Sequence, residues 1–101
     1  MEILYKNQNG DLKISLCGEL DHHNANAIRE ALDRLILEQN FKKLIFNFEK
    51  LTFMDSTGIG VLLGRYKKLK ERAISVYVEN AVGSIDKLLK LSGIYNIFIK
   101  L

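Results

Sequence analysis

One turn from strand to helix, Phe53-Met54-Asp55-Ser56-Thr57-Gly58-Ile59-Gly60, constrains the fold more than any other stretch. Before it, Leu44-Ile45-Phe46-Asn47-Phe48 is short, apolar and aromatic, as a buried strand is. After it, Ile59, Leu62, Leu63, Tyr66 and Leu69 recur at helical spacing. Asp55 is expected at the helix N-cap, where its carboxylate accepts orphan amide protons of the first turn. Met54 and Ile59 fall at the two positions of a hydrophobic staple. The Ser56 hydroxyl then lies on the first turn, where free amide protons and the helix dipole favour added negative charge.

The residues of this turn leave three chemistries open. It is a capped helix with small residues for close packing, a phosphoacceptor, or a catalytic serine. A phosphate on Ser56 would be tolerated in place, because a helix N-terminus already favours an anion. A nucleophile needs a base and an oxyanion hole. Only His22 and His23 could supply the imidazole, and neither G-x-S-x-G nor a P-loop pattern is present.

The remaining elements follow from periodicity. Glu2 to Lys6 reads as an edge strand, and Asn9-Gly10 as a hairpin turn. Leu12, Ile14 and Leu16 alternate with polar residues, so the second strand shows one face to a core. Gly18 to Asp21 is expected to be a loop ending in an N-cap. A first helix then buries Ala25, Ile28, Leu32, Leu35 and Ile36 and stops near Asn40. The third strand runs from Lys43 to Phe48. Ile74, Val76 and Val78 mark a fourth. Asn80 is the expected cap of a third helix that closes at Ser92-Gly93, and Ile97 to Leu101 is a last strand. A hairpin followed by alternating helices and strands gives an α/β fold with a mixed, mostly parallel sheet. Strands with one polar face place the helices mainly on one side of it.

At 101 residues the chain makes one domain with a single core. No apolar run approaches a membrane span, and the acidic start is no signal peptide. The single Cys17 excludes an internal disulfide and suits a reducing cytoplasm. A net charge of +3 does not indicate nucleic acid; the basic run Arg65, Lys67, Lys68, Lys70 and Arg72 suits a helix C-terminus. Asp21-His22-His23 does not read as a metal site, since adjacent helical residues diverge by about 100° and no further cluster helps. No cofactor is expected.

Met54-Asp55-Ser56-Thr57-Gly58, with Gly60 and Leu63-Gly64-Arg65-Tyr66-Lys67, resembles the sporulation branch of the anti-sigma factor antagonists, in the STAS-domain family. Gly18-Glu19-Leu20-Asp21-His22-His23 resembles that branch's second signature, at the expected distance upstream. The resemblance covers almost the whole chain and implies a single STAS domain over residues 1–101. It implies a non-enzymatic cytoplasmic switch protein without catalytic residues. Its partners would be an anti-sigma factor that is also an ATP-binding serine kinase, and a serine phosphatase, with no nucleic acid and no membrane. The unphosphorylated form would bind the anti-sigma factor and release the sporulation sigma factor; phosphorylation of Ser56 would end the binding. Asp21, Asp55, Ser56, Thr57, Gly58 and Ile59 would line the partner surface. The rival readings are a STAS regulator of a stress-response sigma pathway and a serine hydrolase.

Three departures from the branch stand out. Thr57 replaces a common second serine and keeps an alternative hydroxyl. The turn Glu71-Arg72-Ala73 lacks the usual glycines. The sequence stops at Leu101, where members usually continue into a final helix.

Overall fold

The computed structural model describes residues 1–101. Six strands and three helices run β1 Glu2–Gln8, β2 Asp11–Leu20, α1 Ala25–Glu38, β3 Lys43–Asn47, β4 Leu51–Met54, α2 Ser56–Glu71, β5 Ser75–Glu79, α3 Gly83–Ser92 and β6 Ile99–Lys100. A 3-10 turn, Ile94–Asn96, precedes the last strand. The sheet order is β1-β2-β3-β5-β6, with β4 paired to β2. Only β1 is antiparallel to its neighbour; every other pair is parallel.

The hairpin forms as its turn residues dictate. Asn9 and Gly10 both take positive φ, 55° and 84°, as a two-residue type I′ turn requires. This sets Gln8 opposite Asp11 and Ile3 opposite Leu16. The alternation then sorts the sheet into two faces. Leu12, Ile14, Leu16, Leu44, Phe46, Val76 and Val78 are buried on the face that carries the helices. Asp11, Lys13, Ser15, Ile45, Asn47, Tyr77 and Glu79 lie on the other face and are only half-buried. Phe46 stacks between Phe48 and Phe98, with centroids 6.0 and 6.2 Å away. Helix α1 buries Ala25, Ile28, Leu32 and Ile36, and α2 buries Ile59, Val61, Leu62 and Leu69.

Several expectations change. Gly18 to Leu20 is not a loop. Strand β2 continues to Leu20 through an irregularity at Gly18, whose φ of 112° is open to glycine and rarely to other residues. The second half of β2 pairs with β4, which the sequence pattern did not separate from the turn that follows it. Asn80 does not cap α3: Val82 is the N-cap residue, Asn80 sits at φ 60°, and its side chain donates to Asn47 Oδ1 at 3.0 Å. The last strand is shorter than expected, because Gly93 turns the chain into the 3-10 segment first. The glycine-poor turn has a physical cost: Ala73 is held at φ 57°, a left-handed conformation unfavourable for a residue with a Cβ.

Candidate functional site

Parallel pairing of β2 with β4 builds the site. Leu20 stands beside Met54, so the next residue of each strand, Asp21 and Asp55, leaves the same end of the sheet. Ends of parallel strands are where loops converge on a common surface. Here they bring together two motifs more than thirty residues apart in sequence.

Asp55 is the N-cap of α2, with an extended backbone (φ −115°, ψ −175°). Its Oδ1 accepts the Gly58 amide at 3.1 Å, as a capping carboxylate does. Its Oδ2 accepts the backbone amide of His22 at 3.2 Å, and His22 Nδ1 lies 3.4 Å from the same oxygen. One carboxylate thus fastens the β2–α1 turn to the start of α2. Burial works to raise the Asp55 pKa, but bonds from the Gly58 amide, the His22 side chain and amide, and the Thr57 amide outweigh it. The carboxyl is held below its ordinary value and stays ionised at neutral pH.

Asp21 does a related job on the other turn. Its Oδ1 accepts the amides of His23 at 3.0 Å and Asn24 at 3.2 Å. It therefore caps the single turn that leads into α1, while the residue at the helix boundary itself is Asn24. The expected N-cap role is right in kind and displaced by one turn. The Asp21 side chain is 12% exposed.

Ser56 is the first residue of α2, and it is exposed; Thr57 beside it is half-buried. Gly58 and Ile59 lie beneath that surface. Ile59 and Met54, the two expected staple positions, are both buried in the core. A Cβ at Gly58 would stand 2.6 Å from the Leu20 carbonyl oxygen and 2.7 Å from Met54 Cγ, so only glycine lets α2 approach β2 this closely. Of the six residues expected at the partner surface, Ser56 is exposed, Asp55 and Thr57 are half-buried, and Asp21, Gly58 and Ile59 are buried.

Two residues were missed as site members. Sequence alone points to His22 only as a metal ligand or a base; its imidazole instead contacts Asp55 and lies against His23, ring centroids 3.9 Å apart. Phe53, next to the site on β4, is 48% exposed. An exposed aromatic on a strand leading to the acceptor turn is the signal that could have marked it.

The STAS domain family model matches residues 2–101. An anti-sigma F factor antagonist of Paenibacillus polymyxa is 33% identical over 97 residues, covering 96% of this chain and 83% of that protein. The solved structure of the anti-sigma factor antagonist SpoIIAA in its unphosphorylated form has a TM-score of 0.82 at 31% identity, covering 99% of this chain and 88% of that one. The structure of the Bacillus cell fate determinant SpoIIAA in its phosphorylated form has a TM-score of 0.74 at 31% identity, covering 99% and 91%. The pairing of β2 with β4, the capped serine turn and these similarities agree: the chain belongs to the STAS-domain family, among the anti-sigma F factor antagonists and their relatives.

Proposed function

We propose that this protein is an anti-sigma factor antagonist controlled by phosphorylation of Ser56. Its unphosphorylated form docks an anti-sigma factor through Asp21, Asp55, Ser56 and Thr57, with Gly58 and Ile59 holding that surface in shape, and thereby frees a sporulation sigma factor. The anti-sigma factor is itself the ATP-dependent serine kinase, and a serine phosphatase restores the active form. The protein acts in the cytoplasm as a binding module and not as an enzyme.

The observation that carries this reading is the position of Ser56. Its hydroxyl is exposed at the first position of a helix whose N-cap is made by the preceding aspartate. Antagonist relatives support the partner class, and a relative known in both unphosphorylated and phosphorylated forms supports the switch.

The physical mechanism is local. The helix N-terminus favours an anion at Ser56 by about 0.3 to 1 kcal/mol, so the fold tolerates the phosphate. The partner does not. It would bury about −1.5 to −2 charges where a small hydroxyl had fitted, beside the Asp55 carboxylate. An unpaired buried charge costs several kcal/mol, on the order of a hundredfold or more in affinity.

The test is to incubate the protein with the anti-sigma factor of its own organism and ATP, then map the modified peptide. Phosphate on Ser56, lost in Ser56→Ala, supports the reading. Phosphate on Thr57 alone, or undiminished labelling of Ser56→Ala, overturns it.

A further inference from the structure

We propose that His22 supplies the counter-charge of the phosphorylated state: its imidazole, already against Asp55, bridges the Asp55 carboxylate and the Ser56 phosphate, tying the Asp21 turn to α2. The proposal rests on Ser56 being the acceptor.

Charge balance at the site leads to it. Phosphorylation sets a near-dianion on the residue next to an ionised aspartate, with a second carboxylate, Asp21, on the adjoining turn. Neither turn carries a lysine or arginine. Residues 18 to 28 and 51 to 64 carry none; Lys50 precedes β4, and Arg65 lies more than two helical turns down α2, paired with Asp33 at 3.0 Å. The two histidines are the only groups in either turn that can become cationic near neutral pH.

Geometry chooses between them. His22 Nδ1 is 3.4 Å from Asp55 Oδ2, and its backbone amide donates to the same oxygen at 3.2 Å. His23 Nδ1 lies instead 3.9 Å from Asp21 Oδ2. Against the His22 imidazole stand Asp55 from the β4–α2 junction and His23 from its own turn, with Asp21 on the far side of the pair against His23. With the rings 3.9 Å apart, charging both is opposed by mutual repulsion. A new anion at Ser56 therefore selects the ring on the Asp55 side.

The consequence is a proton-coupled clasp. The phosphate favours imidazolium, so phosphorylation takes up a proton from solvent onto His22. Because the His22 pKa rises and the phosphate pKa falls when the two meet, the added stability is greatest between those two values and weakens as pH falls through the lowered phosphate value. It is lost as pH climbs through the raised histidine value. The clasp also links the two turns proposed to face the partner, so the phosphate fixes the Asp21 turn as well as blocking Ser56.

The experiment installs phosphoserine at position 56 during translation, so no kinase is needed. Imidazole carbon–proton NMR then follows His22 and His23 with pH in the unmodified and phosphorylated full chains, assigned with His22→Gln and His23→Gln. Phosphorus NMR follows the phosphate in parallel. The expected result is a His22 pKa raised by about half a unit or more, a smaller change at His23, and a phosphate pKa that rises in His22→Gln but not in His23→Gln. A His22 that titrates at the same pH in both forms, or a phosphate unmoved by His22→Gln, overturns the proposal. If the kinase instead modifies another residue, the acceptor assignment fails in its own assay while this titration still reads the clasp.

Discussion

Gly58→Ala tests whether the close approach of α2 to β2 is what builds the site. The added methyl would lie 2.6 Å from the Leu20 carbonyl oxygen, 2.7 Å from Met54 Cγ and 2.9 Å from Leu20 Cγ. Favourable contacts lie near 3.5 Å or beyond, so each is short by roughly 0.6 to 0.9 Å. The Met54 side chain can rotate away. The Leu20 carbonyl cannot, because it is backbone and accepts the Asp55 amide. Overpacking of this kind costs about 1 to 3 kcal/mol. Replacing glycine by alanine in a helix returns about 1 kcal/mol, leaving a net loss of about 0 to 2. Gly60→Ala is the matched control. It lies two residues on in the same helix, and its Cβ would meet nothing within 4 Å. That change should stabilise by about 0.5 to 1 kcal/mol. Urea denaturation followed by far-ultraviolet circular dichroism measures both. Each kcal/mol should also move Tm by roughly 4 to 8 °C in a domain of this size. If Gly58→Ala proves as stable as Gly60→Ala, the packing account of this junction is wrong.

Three further outcomes follow from particular contacts. Asp21→Asn keeps an oxygen for the His23 and Asn24 amides, so it should leave stability unchanged while weakening anti-sigma factor binding; Asp21→Ala should in addition cost about 1 kcal/mol in denaturant melts. Ala73→Gly should stabilise by about 1 kcal/mol, because it relieves the left-handed strain at φ 57°, and no gain in Tm would show that the turn is not strained. Asp86 accepts bonds from Tyr95 Oη at 2.7 Å and Lys100 Nζ at 3.0 Å and pairs with Lys90, which together hold its carboxyl far below the ordinary value. A depressed folded pKa contributes stability above the ordinary value of about 3.9 and loses it as pH falls below; unfolding scans from pH 6 to 2 should therefore show a shallower acid loss in Asp86→Asn than in the wild type.

The parts of the fold legible in sequence are those set by local periodicity. Asn9-Gly10 specifies its turn through positive φ, and Asp55, Met54 and Ile59 specify the start of α2 through a cap and a staple. β4 was not legible because it is four residues long and its ends are buried while Thr52 and Phe53 are exposed, so it shows no alternation. That pattern makes sense only beside the irregularity at Gly18, a long-range pairing. Asn80 misled because its left-handed conformation serves a turn and a bond to Asn47 instead of a cap. At the site, each aspartate announced a helix start, but nothing local announces that His22 meets Asp55. That contact exists because Leu20 and Met54 are neighbours in the sheet.

If charge on Ser56 decides whether this surface binds an anti-sigma factor, the two forms of the protein must differ in affinity. Isothermal titration of the ATP-loaded anti-sigma factor with unmodified protein and with protein carrying phosphoserine at 56 measures it directly. The first should bind tightly and the second with affinity weaker by about a hundredfold or more, with native-like circular dichroism in both. Equal affinities for the two forms would contradict that role of the charge.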